Sequence, residues 1–137
     1  MKVQLNRKPF DDALGVVASA ASARASLPIL SHLYIEAQSD TVRLVGSDLE
    51  QWVECRIPAM VGEDGATTLP ARLLTDLVGS LGGEDIHIES GERYQAILTS
   101  GDSLLRRLCT LTRLLRLRPR NRLALLAKQH QVALRVI

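Results

Sequence analysis

Near the start of the chain Val3 and Leu5 alternate with polar residues, a pattern that predicts a short strand. Pro9 follows where helices commonly open. Phe10, Leu14, Val17 and Ala21 then recur at steps of four and three, so a helix with one apolar face is expected, with Asp12, Gly15, Ser19 and Ser22 on another. Pro28 closes this segment. Three strand-like runs come next, at about 32–38, 41–47 and 51–57, and Ser39-Asp40 and Ser47-Asp48 between them have turn chemistry. In the third run Val53, Cys55 and Ile57 alternate with Glu54 and Arg56, as in a strand with one buried face.

The order restarts after the loop Gly62-Glu63-Asp64-Gly65. A short strand at 67–69 leads to a second helix opened by Pro70, with Leu73, Leu74, Leu77, Val78 and Leu81 as its apolar stripe. Arg72, Thr75, Gly79 and Ser80 lie off that stripe, and Gly82-Gly83 end the helix. Strands are predicted at about 86–89 and 94–99, joined through Gly91-Glu92, and a third at about 104–111. The chain thus reads β-α-β-β-β twice, in units of about 50 residues. This predicts an α+β domain with two helices packed on antiparallel sheet. The halves share element order and little sequence.

Composition narrows the class. With 137 residues, 46% hydrophobic and 23% charged, the chain suits one domain and is too apolar for intrinsic disorder. No window approaches ~20 uninterrupted apolar residues, and no basic-then-apolar leader opens the chain, so a cytoplasmic protein without membrane association is expected. Cys55 and Cys109 are too few for a disulfide framework or a zinc site and read as buried or incidental thiols.

The net charge of +2 hides two unlike segments. Through Asp102 the chain carries eight basic and all fifteen acidic residues, a net −7; from Ser103 onward it carries nine basic residues and no acid, a net +9. Asymmetry of this size marks regions with different roles or origins.

Catalytic motifs are lacking. There is no Walker-type loop, no Gly-x-Ser-x-Gly elbow and no His-Glu-x-x-His. His32, His87 and His130 have no acidic or cysteine partner at ligand spacing and read as isolated surface or partly buried groups. Asp11-Asp12 and Asp48-x-Glu50 invite a metal reading, but adjacent helix residues point about 100° apart, and carboxylates in a first helical turn suit the helix N-terminus without a metal. Trp52, Tyr34 and Tyr94 are candidate base-stacking platforms, although single aromatics within strands more often pack. No catalytic residue, metal ligand or cofactor is expected.

One set of motifs is specific by its order and spacing. Met1-Lys2-Val3, Arg24-Ala25-Ser26-Leu27-Pro28-Ile29-Leu30-Ser31, Gly46-Ser47-Asp48-Leu49-Glu50, Gly65-Ala66-Thr67-Thr68-Leu69-Pro70-Ala71-Arg72 and Ser100-Gly101-Asp102-Ser103 follow one another over about three quarters of the chain. In these the body resembles the N-terminal domain of the bacterial DNA polymerase III beta subunits, the beta sliding clamps. The resemblance implies a domain built from two β-α-β-β-β motifs. It further implies a homodimeric ring of three such domains per subunit, with helices on the inner wall and sheet outside. Double-stranded DNA passes through the ring, which tethers DNA polymerase III to its template and is handled by a clamp loader. Such a ring has no catalysis of its own. Its DNA contacts should be sparse and directed to phosphates, since base readout would hinder sliding. By their match to DNA-facing positions of the family, Arg24 and Arg72 are the expected phosphate contacts. Acids elsewhere on the body discourage nonspecific sticking while a few inward basic groups set the local potential.

The chain also departs from the family. Leu108-Cys109-Thr110-Leu111 still resembles the family's strand ending, whereas 112–137 does not, so a clamp domain at 1–111 and a basic tail at 112–137 are expected. From 103 to 137 there are eleven Leu and eight Arg, with no Asp, Glu, Gly, Phe, Trp or Tyr. Leu104, Leu108, Leu111 and Leu115 fall at helical spacing beside Arg107 and Arg118, which suits a basic amphipathic segment or a packed terminal helix. The abrupt loss of acids favours a third reading, translation of a shifted frame in a GC-rich gene, which would leave the clamp truncated. The family's peptide-binding cleft for polymerase and clamp loader then lies in parts this chain lacks. The alternative function is a free-standing DNA-binding or inhibitory fragment acting through the tail.

Overall fold

The computed structural model describes residues 1–21, 27–91, 95–101 and 103–109, with Gln95 and 103–109 described through their backbone. Nine strands and two α-helices occur among these residues. The first half holds β1 (Lys2–Asn6), α1 (Arg7–Ala18), β2 (His32–Gln38), β3 (Thr41–Ser47), β4 (Trp52–Pro58) and β5 (Met60–Glu63), with a 3-10 turn over Pro28–Ser31 before β2. The second holds β6 (Gly65–Pro70), α2 (Ala71–Ser80), β7 (Asp85–Ser90), β8 (Gln95–Ser100) and β9 (Ser103–Cys109). The expected double order is present, with β5 as an additional strand at the end of the first half.

The strands form two antiparallel sheets, ordered β5-β1-β7-β8-β9 and β4-β3-β2-β6. The two units exchange their first strands. β1 pairs with β7, aligning Lys2 with Glu89, while β6 pairs with β2, aligning Leu69 with Leu33. Neither half can complete its sheet alone, so the pairing ties the repeat into one folding unit. Pro58 and Pro70 lie in β4 and β6, the two outer strands of their sheet, where a missing N–H costs least.

Each helix buries one face in the core and leaves the other exposed. From α1, Phe10, Ala13, Leu14 and Val17 are buried; from α2, Ala71, Leu74 and Val78. They meet Leu33, Ile35, Val42 and Leu44 of one sheet and Val3, Leu5, Ile86 and Ile88 of the other in a single core. Alternation places these strand residues on one face.

Four sequence expectations need correction. The stretch 62–65 is not all loop: Gly62 and Glu63 end β5, which pairs with β1 at the sheet edge and is too short and exposed to show an apolar pattern. α1 begins at Arg7, two residues before Pro9, whose missing N–H falls in the first turn where it has no intrahelical partner to lose; Asp11 and Asp12 therefore lie past the first turn, which carries no acid, and not at the helix N-terminus as expected. Leu73 is exposed rather than part of the stripe, because one residue advances about 100° from Leu74 and leaves that narrow face. β9 occupies the strand expected at about 104–111, so the alternative helical spacing shared by Leu104 and Leu108 forms no helix there.

Candidate nucleic-acid interface

At the start of α2 the chain turns from β6 through Pro70, which caps the helix without a side-chain hydrogen bond. The first turn carries no acid, and Arg72 sits in it, exposed. A cation at a helix N-terminus adds to the partial positive charge of the free N–H groups, an arrangement unfavourable to helix stability and favourable to an anion. Arg72 makes no ion pair or hydrogen bond among the described residues. Its guanidinium is therefore free to donate outward.

Arg72 lines a cleft of about 320 Å³ together with Ala18, Ala21, Ser31, Ala71, Thr75 and Asp76. Three of these are alanines, and their small side chains leave the gap between the end of α1 and the start of α2. The Thr75 hydroxyl donates to the Ala71 carbonyl at 2.9 Å and Ser31 to the Pro28 carbonyl at 2.7 Å. Both hydroxyl protons are thus committed to backbone, and Arg72 supplies the cleft's cation. Ala21, three residues before Arg24, is on its wall. Arg24 itself, like Ser22 and Tyr94, lies outside the described residues.

The helix surfaces are balanced in charge. α1 contributes Arg7, Lys8, Asp11 and Asp12, and α2 contributes Arg72 and Asp76. Lys8 and Asp12 approach to 3.6 Å across one turn, both well exposed. Ser19 and Ser80 are exposed as expected, each hydroxyl donating to a carbonyl three residues back, whereas Thr75 is half-buried.

The outer face of the four-stranded sheet is different. Arg43 donates to Glu54 at 2.8 Å and to Glu36 at 3.3 Å, and Arg56 donates to Glu54 at 3.0 Å. Burial raises the Glu54 carboxyl, but the bonds and charges of Arg43 and Arg56 outweigh it and hold the group below the usual carboxylate range. The basic groups here are already neutralised. This lattice escaped the sequence reading because Glu36, Arg43 and Glu54 become neighbours only once the strand register is known. Beside it, Tyr34 and Val45 are buried with Trp52, Ile29 and Ala66 against them, so Tyr34 and Trp52 act as packing residues. Asp48 Oδ1 accepts the N–H groups of Glu50 and Gln51, which makes it a turn cap. His32 is buried, and Cys55 is half-buried with its thiol pushed up by burial and by the Glu54 charge.

Comparison with known proteins places these features in a family. The family described as DNA polymerase III beta subunit, N-terminal domain, matches residues 1–112. A beta sliding clamp of Staphylococcus aureus is 36% identical over 111 residues, covering 75% of this chain and 29% of that protein. The crystal structure of the beta subunit from DNA polymerase of Streptococcus pyogenes superposes with a TM-score of 0.75 at 33% identity, over 80% of this chain and 30% of that one. A DNA polymerase sliding clamp from Bacillus subtilis gives a TM-score of 0.78 at 28% identity, over 81% and 31%. The chain spans somewhat under a third of the length of each of these relatives.

Proposed function

Because the chain belongs to the DNA polymerase III beta subunit family, through that family's N-terminal domain, we propose that it acts as a clamp domain in DNA replication, presenting its two helices to duplex DNA. The observation that carries this reading is the exposed Arg72 at the N-terminus of α2, unpaired among the described residues, on the helix side of a body whose outer basic groups Arg43 and Arg56 are tied to carboxylates. Arg72 and Arg24 would contact phosphates. Neither is expected to read bases, since sliding requires contacts that any sequence offers.

In this reading the domain contributes to a ring that keeps DNA polymerase III on its template, in the cytoplasm and without catalysis of its own. Residues 112–137 form a basic tail outside the clamp domain at 1–111. The acid-free composition of that tail supports a second reading, a DNA-binding or inhibitory fragment that uses the tail.

Photo-crosslinking decides which face meets DNA. A crosslinkable residue at Gly79, exposed on α2 with nothing within 4 Å of a β-carbon, should capture duplex DNA. The same residue at Arg56 on the outer sheet face should not. Capture from position 56 and not 79 would overturn the assignment, and capture lost only when 112–137 is removed would favour the tail.

A further inference from the structure

Asp76 follows Arg72 by four residues on α2 and lines the same cleft. At that spacing two side chains on a helix are neighbours, about 5–6 Å apart at their β-carbons. The order is the weaker one for a helical ion pair, with the cation N-terminal to the carboxylate. Accordingly the two are not bonded, and both remain exposed. The guanidinium keeps its donors open, yet a carboxylate stands within reach of the same long side chain.

We propose that Asp76 is a built-in competitor of the DNA phosphate at Arg72, a positioning residue that keeps the contact weak enough to slide. This rests on the reading of Arg72 as a phosphate contact. A phosphate approaching Arg72 meets the Asp76 charge in the same cleft, and whenever Arg72 turns onto Asp76 it is unavailable to DNA. The competition is local. Asp11 and Asp12 belong to α1 and are absent from the cleft lining, and Asp12 is occupied by Lys8.

The test is a mutant cycle on the full chain, read by fluorescence anisotropy with a labelled 20-base-pair duplex at about 0.15 M salt, where the Debye length is about 8 Å. Asp76→Asn should tighten binding about threefold, the size of an exposed ion pair. Glu50→Gln, an equal change in net charge on the exposed β3–β4 turn, should shift it by less than about 1.5-fold, since exposed charges beyond a Debye length are screened. In an Arg72→Ala background Asp76→Asn should lose most of its effect, because the group competed for is gone. No tightening by Asp76→Asn while Arg72→Ala still weakens binding would overturn this inference and leave the phosphate contact standing. Equal tightening with and without Arg72 would also overturn it, pointing to general repulsion. If Arg72→Ala leaves binding unchanged, the phosphate contact itself falls, and the inference with it.

Discussion

Gly46, near the end of β3, lies directly against the backbone carbonyl of Val17 on α1, leaving no space for a β-carbon. A methyl group at this position would also meet the Val17 and Leu33 side chains at 3.1 and 3.2 Å. The close approach seats the last turn of α1 on the sheet, and so positions the wall of the cleft that Ala18 and Ala21 provide. Glycine is required here for contact and not for its backbone freedom, since its φ is not in the left-handed region.

Gly46→Ala should therefore destabilise the domain by about 1–3 kcal/mol, the range for forcing an extra carbon into a packed core. Urea denaturation reads this as a lower midpoint at unchanged slope. Gly15→Ala is the control. Nothing lies within 4 Å of a β-carbon there, and the added helix propensity should stabilise by about 0.5–1 kcal/mol.

Glu54 joins β4 to Arg43 of β3 and to Arg56 of its own strand. Its lowered pKa means that the folded state favours the carboxylate, so its contribution is present above the ordinary carboxyl range and is lost as pH falls through it. Glu54→Gln should cost about 0.5–1 kcal/mol at pH 7, a partly exposed pair being screened by solvent. Urea midpoints of wild type and variant should draw together as pH falls below the ordinary carboxyl range. A difference that persists in acid would show that the side chain acts through packing.

His32 behaves in the opposite chemical sense but with the same pH direction. Burial pushes its pKa down, partly offset by the Pro28 backbone, and its Nε2 is buried without a hydrogen-bond partner among the described residues. Ser31 donates its proton to Pro28, so its oxygen is left to accept Nδ1–H at 3.2 Å. Charging the ring would place a second N–H at Nε2 facing no acceptor. The neutral ring is favoured by folding, so its contribution is complete above about pH 6.5 and is lost as pH falls below that value. His32→Leu should flatten the dependence of the urea midpoint between pH 7 and pH 5. An equally steep dependence in the variant would assign it to other groups.

The helix stripes were legible in the chain because they rest on local spacing: Phe10, Leu14 and Val17 are buried as their period requires. The exchange of β1 and β6 between sheets was not legible, since nothing local to Val3 or Leu69 names its partner, Ile88 or Leu33, across the long stretch of chain between them. β5 was hidden by its exposed, glycine-bearing sequence, and Leu73 by the assumption that consecutive leucines share a face. At the candidate site Arg72 came from the resemblance, and the structure adds that it is exposed and, among the described residues, unpaired. Asp76 carried no signal of its own until the cleft placed it beside Arg72.

The central claim is that the helix side of this domain holds duplex DNA through phosphates alone. Its most direct test is the salt dependence of binding for the wild type and the Arg24→Ala/Arg72→Ala variant, on two duplexes of unrelated sequence. Loss of two phosphate contacts should reduce the slope of log K against log salt by about 1.8, equally on both duplexes. An unchanged slope, or a loss confined to one sequence, would contradict the claim.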